Sequence, residues 1–252
     1  APFFLSVPFR TVLLMIIIEL IFFIYFCYVS LYAFVLSTAG LFYKVKKLPP
    51  ATRMRKMAVL IPAYKEDGVI VSVAQAATQQ SYPREYFDVI VIADSLQTQT
   101  LHTLRALPIT LVEVSFEKST KVKALNRAMD TIGDAYDCAL ILDADNVMEN
   151  NFLQTMNNYF ESGYKAVQGQ RAAKNKNTSM AFLDGMSERI NNFIYRQGTV
   201  VVGLSSSLIG SGMIFEYATL KSILLSLDSI GGFDRELEMN LIRQKVKIQY
   251  AT

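Results

Sequence analysis

The chain has 252 residues, a formal net charge of +3 and two cysteines. That length suits one or two domains with a sizeable core, and Cys27 and Cys138 have no neighbours that would make a metal cluster or a disulfide framework. A single histidine, His102, excludes a multi-histidine metal site, so any metal must be held by oxygen ligands.

Hydrophobic residues make up 52% of the chain, and they are not evenly spread. Across residues 11–36 the only Asp, Glu, Lys or Arg is Glu19. About 20 apolar residues cross a bilayer core, so this run predicts one transmembrane helix with some tilt. A cleaved signal peptide would have a shorter apolar region and a small-residue cleavage site. Here the run ends in Ala39-Gly40-Leu41-Phe42-Tyr43 and then Lys44. Arg10 is the only charged side chain ahead of it, whereas Lys44, Lys46, Lys47, Arg53, Arg55 and Lys56 follow. Positive charge stays in the cytoplasm, which places the rest of the chain on the cytosolic side of the cell membrane. Glu19 marks either a polar path or a hydrogen bond to a helix outside this chain. The basic cluster suits anionic headgroups, and no aromatic-basic ladder appears elsewhere. A lipid bilayer is therefore an expected partner, and nucleic acid is not.

Residues 1–43 thus form the expected membrane segment, and 44–56, with Pro49-Pro50, a stiff basic linker. Residues 57–252 form the remaining domain. Short apolar runs predict strands over 57–62, 88–93, 109–114, 138–142 and 165–170. Between them lie predicted helices over 68–80, 98–106, 120–131 and 150–161. Such interleaving implies an α/β fold with a mostly parallel sheet covered on both faces. Past Asn175 the pattern changes. A longer helix is predicted over 179–196, then a Gly/Ser-rich segment over 203–212, an apolar run over 213–215, and helices near 218–226 and 235–244.

In open α/β sheets ligands sit beyond the carboxyl ends of the strands. Those ends carry Glu66 and Asp67, then Asp94, then Asp143 and Asp145. Carboxylates gathered at one sheet edge repel each other unless a cation joins them, and such oxygen donors suit Mg²⁺ or Mn²⁺ bridging substrate phosphates. Lys121 falls in the first turn of a predicted helix, where an ammonium beside the positive helix end suits a diphosphate.

The order AVLIPAYKED (58–67), DVIVIADS (88–95), KVKALNRA (121–128), LILDADN (140–146), a Gly-Ser-Gly loop and GGFDRELEMNLIRQKVKIQY (231–250) resembles the family 2 glycosyltransferases. Their fold is called GT-A, and they include cellulose-, chitin- and hyaluronan-synthase-like membrane enzymes. The resemblance implies a nucleotide-diphosphate-sugar donor, a saccharide or lipid-linked acceptor, and a divalent cation. It implies that Ala63, Tyr64 and Glu66 hold the nucleotide, that Asp94 bonds the base, usually uracil, and that Lys121 lies near the nucleotide. Asp145 then matches the metal ligand, and Asp143 contacts ribose or metal. Gly210, Ser211 and Gly212 match the acceptor side, and Asp234 matches the catalytic base, with Glu236 as its alternate.

Two departures accompany the match. Phe233 stands before Asp234 where a polar residue is common, and the Q-x-x-R-W segment of processive members is missing. Read from the sequence, the chain is a fragment expected to continue into an amphipathic helix and further membrane helices. A helix cap is the structural alternative for Asp234. A nucleotidyltransferase and a non-catalytic, membrane-anchored nucleotide-sugar-binding subunit are the functional alternatives.

Overall fold

A computed structural model describes residues 8–173, 177–227 and 231–252. Residues 1–7 of the expected membrane segment and the pattern change placed at Asn175 lie outside the described residues.

Helix α1 (Phe9–Gly40) is 32 residues long, extending past the apolar run at both ends. Among the described residues it is the one helix long and apolar enough to cross a membrane. Its side chains are bare for most of its length; only Leu36, Ala39 and Gly40 are buried.

The rest is built on a seven-stranded sheet of order β3-β2-β1-β4-β6-β5-β7. β1 (Met57–Tyr64) is flanked by β2 (Phe87–Asp94) and β4 (Cys138–Ile141), both parallel to it. β3 (Thr110–Val114) extends the parallel half beyond β2. Because helices cover both faces, β1 is apolar at nearly every position rather than alternating. Met57, Val59 and Ile61 enter one core with α2 (Ile70–Ala77) and α5 (Phe152–Glu161). Ala58 and Leu60 enter the other with α4 (Lys121–Ile132) and α8 (Tyr217–Ser226). α3 (Thr98–Arg105) follows β2 and buries Leu104 in the first core.

The second half of the sheet breaks the parallel pattern. β6 (Met213–Glu216) runs antiparallel between β4 and β5 (Ala166–Gly169), and β7 (Ile248–Ala251) lies parallel to β5. A four-residue apolar run carries no directional signal, so the sequence could not give this reversal.

The helix predicted over 179–196 is also more complex. α6 (Ser179–Asn191) passes into a π-helical turn, Asn192–Gly198, and then into α7 (Thr199–Val201). The turn lies where the chain meets α1. A Cβ on Gly198 would stand 2.2 Å from the Leu36 carbonyl oxygen, and one on Gly40 would stand 2.9 Å from the Phe193 carbonyl oxygen. Gly198→Ala is therefore expected to push α1 off the domain at a cost of roughly 1–3 kcal/mol. Thermal unfolding in detergent reads this as a lower midpoint; an unchanged midpoint would contradict the close backbone contact.

α9 (Phe233–Arg243) starts two residues before the predicted helix and is entered through Gly232, whose φ of 67° lies in the left-handed region. Asp234 is therefore inside the first turn and is not the cap. Its carboxylate sits near the positive end of the helix without capping it.

Candidate active site

The parallel half of the sheet presents its carboxyl ends to a cleft of about 450 Å³. Pro62, Ala63 and Tyr64 at the end of β1, Glu66 just after it, Asp94 at the end of β2, Lys121 at the start of α4, and Asp143 and Asp145 after β4 line it. Every residue expected to hold the nucleotide or the metal thus faces one space. Parallel register sets Tyr64 beside Asp94, and both strands then leave through non-glycine residues in left-handed backbone, Lys65 (φ 56°) and Ser95 (φ 57°). Such conformations cost energy and gather where loops are held for function. The turns are tied together: the Lys65 amide donates to the Asp94 carbonyl at 3.1 Å, and the Ser95 hydroxyl to Asp94 Oδ1 at 3.0 Å. Asp94 is 3% exposed. Nearby, Asp67 accepts from the Gln97 amide at 2.8 Å. Hydrogen bonds from the Thr100 hydroxyl and then from that amide hold its carboxyl below the usual range.

The carboxylates do not converge on one point. Among the described residues, no three His, Cys, Asp or Glu side chains group as a metal site. Sheet order gives the reason: β2 and β4 lie on opposite sides of β1. Two strand spacings put their ends roughly 10 Å apart, too far for Asp94 to share an ion with Asp143. The strand-end carboxylates thus do not form one cluster, and the expected metal ligands remain Asp143 and Asp145, two residues apart on one loop.

That loop is braced from below by the Gly-Ser-Gly segment. The Asp143 amide donates to Ser211 Oγ at 2.9 Å, the Asn146 side-chain amide to the same oxygen at 2.7 Å, and the Gly212 amide to the Ile141 carbonyl at 2.9 Å. Ser211 is buried. Gly210 (φ 81°) and Gly212 (φ 63°) supply the left-handed turns that bring it there. Gln168, also buried, donates to the Ser211 carbonyl at 2.9 Å and accepts from the Ile209 amide at 3.1 Å. Ser211 thus supports the Asp-x-Asp loop directly, a role the sequence did not suggest.

Lys121 joins the cleft to the acceptor side. Thr120 caps α4 by accepting from the Lys123 amide, so Lys121 is the first helical residue. Its ammonium is paired with Asp143, donates to the Gly210 carbonyl at 2.8 Å and lies 4.9 Å from the centre of the Phe233 ring. A Cβ on Gly210 would be 4.0 Å from Lys121 Nζ and 4.0 Å from Asp234 Oδ2. The Lys121 ammonium and the Asp234 carboxylate therefore both lie close to Gly210. Phe233, the departure at a usually polar position, forms the cationic lysine's aromatic neighbour.

Asp234 opens into a second, larger cleft of about 830 Å³, lined also by Tyr32 of α1, Arg196, Leu208, Ile209 and Glu238. Gly210, Ser211 and Gly212 do not line this cleft, though Ile209 beside them does. Ser211 and Gly212 line a third cleft of about 390 Å³, which also includes Asp145, Gln170 and Arg171. Asp145 is exposed and borders both the first and the third cleft.

Glu236 is not at this site: it is exposed and lines none of the three clefts. Phe233, Leu237 and Leu241 face the core and set the helix phase. Asp234 and Glu238, four apart, share the adjoining stripe, while Glu236 points away from it. Glu238 accepts from the Leu208 amide at 2.9 Å and steadies the wall of the large cleft. Its i+4 spacing from Asp234 was the signal that could have found it. Arg196, 3% exposed and bonded to Glu188 at 2.9 Å, carried no sequence signal, because the π-helical turn alters the phase that would place it.

A mostly parallel sheet with this topology and a strand-end Asp-x-Asp over a nucleotide-sized cleft defines the GT-A class of nucleotide-diphospho-sugar transferase folds. Residues 54–252 match the family model described as glycosyltransferase like family 2, and the chain belongs to that family. Similar solved structures include the mannosyltransferase PcManGT from Pyrobaculum calidifontis in complex with GDP-Man and Mn²⁺, at TM-score 0.64 and 17% identity over 85% of this chain and 59% of that one. Glucosyl-3-phosphoglycerate synthase from Mycobacterium tuberculosis, in complex with Mn²⁺, UDP and glucosyl-3-phosphoglycerate, is similar at TM-score 0.56 and 16% identity over 83% and 77% of the two chains. TarS from S. aureus in complex with UDP-GlcNAc gives TM-score 0.52 and 17% identity over 77% and 55%. At these identities the likeness is one of fold. The chain spans about three fifths of the length of the mannosyltransferase. No curated protein sequence matches it.

Proposed function

We propose that the chain is an inverting glycosyltransferase that moves a sugar from a nucleotide-diphosphate-sugar, with uridine as the base, to a saccharide or lipid-linked acceptor at a membrane. The observation that carries this reading is that Lys121, which lines the strand-end cleft, and Asp234, which lines the large one, bring their charged ends close to Gly210. In a single displacement, the acceptor oxygen attacks the anomeric carbon as the bond from that carbon to the diphosphate oxygen breaks. Asp234 takes the acceptor hydroxyl proton, and Lys121 balances the negative charge that develops on the diphosphate. Binding of the diphosphate draws Lys121 from its pairing with Asp143.

The donor set fits a hard divalent cation: Asp145 is exposed at the cleft edge, and Asp143 is held two residues away by the Ser211 brace. Asp145, with Asp143, would hold Mg²⁺ or Mn²⁺, which when bound supplies positive charge against the diphosphate. The mannosyltransferase and the glucosyl-3-phosphoglycerate synthase structures contain Mn²⁺, in keeping with this choice. Incubating membranes that contain the protein with labelled nucleotide-sugars tests the activity. Release of nucleotide with label entering a saccharide or lipid product supports it, and inertness towards uridine and guanosine donors alike contradicts it.

Asp94 lines the strand-end cleft at the end of β2, and in this reading it bonds the base, as the family resemblance implies. Asp94→Ala is accordingly expected to narrow the preference between UDP and GDP while metal dependence persists. Competition binding measures this, and an unchanged preference would remove Asp94 from base recognition.

Residues 1–43 act as a membrane anchor in this reading, 44–56 as the basic linker, and 57–252 as the cytosolic transferase domain. The naked apolar surface of α1 and the lysines that follow it support the anchoring. Alkaline carbonate washing should leave the protein in the membrane pellet; its release would show that α1 does not span.

A further inference from the structure

The charges of the large cleft do not cancel. Arg196 and Arg235 are matched by Glu188 and Glu238, at 2.9 and 3.4 Å. Arg171, Lys245 and Lys247 line the same cleft and pair with no carboxylate among the described residues. Arg196 itself, 3% exposed, has an Nε without a hydrogen-bond partner. With Asp234 set aside as the base, the space left for an acceptor is cationic.

Two of the unmatched cations stand in the turn between α9 and β7, and the backbone there is unusual. Lys245 lies in the left-handed region, at φ 58°. The amides of Lys245 and Val246 donate back to the Ile242 and Leu241 carbonyls, each at 2.9 Å. This is a Schellman closure, whose left-handed position favours glycine because a Cβ is strained there. A lysine at that place costs stability, and such conformations persist where a side chain is held for function. Val246 packs against the core beneath α9. Lys247 leads into β7 beside Ser205, which also lines the cleft. The Ile248 amide donates to Ser205 Oγ at 3.2 Å, which leaves the hydroxyl proton to donate in turn. Two ammonium groups and a hydroxyl on one short rim suit the oxygens of a phosphate or a carboxylate.

We propose that Lys245, Lys247 and Ser205 bind an anionic group of the acceptor, a phosphate or a carboxylate, away from the bond being made. The proposal rests on the transferase reading of this cleft. From Asp234 to Lys245 is about 16 Å along α9, more than a single sugar ring spans. The anion therefore belongs to a unit of the acceptor behind the one that reacts. Such an acceptor is an acidic oligosaccharide or a saccharide linked through phosphate, and one neutral sugar would miss these contacts. The remote grip holds the acceptor in register without touching the reacting atoms.

Amine acylation of the detergent-solubilised protein in chelator, read lysine by lysine through peptide mass spectrometry, tests the proposal. The probes are inorganic pyrophosphate, tetragalacturonic acid and the neutral methyl ester of that acid. Pyrophosphate or tetragalacturonate should slow acylation of Lys245 and Lys247 several-fold, and the ester should not. Lys165, exposed and outside the three clefts, should keep its rate. Protection by pyrophosphate alone supports a phosphate-linked acceptor, and protection by tetragalacturonate an acidic saccharide. Lys245→Gly should raise the thermal midpoint by relieving the backbone, yet weaken the protection of Lys247. Undiminished protection of Lys247 in that variant overturns the shared site. So does equal protection by the ester, or none by either anion. Protection that appears only with phosphatidylglycerol vesicles would assign the lysines to the leaflet, which also overturns it. UDP binding in Mn²⁺ is measured on the same preparations. Retained UDP binding with Lys245 unprotected overturns this proposal alone, whereas absence of UDP binding removes the transferase reading and the proposal with it.

Discussion

Asp234→Asn is expected to cut sugar transfer by about a hundredfold or more while donor affinity stays near that of the wild type. The substitution keeps the shape of the side chain and removes its ability to take a proton. Because Asp234 lines the large cleft and not the strand-end one, its work falls on the acceptor hydroxyl rather than on the nucleotide. Two controls sharpen the test. Glu236→Gln should leave transfer unchanged, since Glu236 is exposed and lines no cleft. Glu238→Gln keeps an acceptor oxygen for the Leu208 amide and should have a small effect. Steady-state transfer rates beside nucleotide affinities separate the outcomes: wild-type turnover in Asp234→Asn would place the base elsewhere.

Asp145→Asn should weaken Mn²⁺-dependent UDP binding at least about tenfold, ~1.4 kcal/mol or more, and leave the metal-free affinity alone. Asp145 is the exposed carboxylate of the pair, whereas the Asp143 carboxylate is matched by Lys121. Removing the negative charge at 145 therefore removes a hard ligand without orphaning a buried partner. Equal Mn²⁺-dependent affinity in wild type and variant would take Asp145 out of the metal site.

Much of this architecture was legible in the sequence because parallel strands buried on both faces read as nearly unbroken apolar runs, as β1 and β2 do. Polar residues that interrupt such runs fall at strand ends, and those of β1, β2 and β4 proved to line one cleft with Lys121. What could not be read depended on tertiary packing. The reversal of β6 is set by its neighbours β4 and β5. The phase of α9, and with it the choice of Glu238 over Glu236, follows from burial of Phe233, Leu237 and Leu241. The brace from Ser211 to Asp143 crosses 68 residues of sequence. The break of the predicted 179–196 helix into a π-helical turn reflects the approach of Gly198 to Leu36, far away on α1.

Calorimetric titration of the detergent-solubilised protein with UDP and with GDP, in Mn²⁺ and again in chelator, tests most directly that the strand-end cleft is a metal-assisted nucleotide-sugar site. UDP should bind in Mn²⁺, GDP more weakly, and the binding should largely vanish when the metal is removed. Failure of both nucleotides to bind in Mn²⁺, or affinities that chelation leaves untouched, would contradict the assignment.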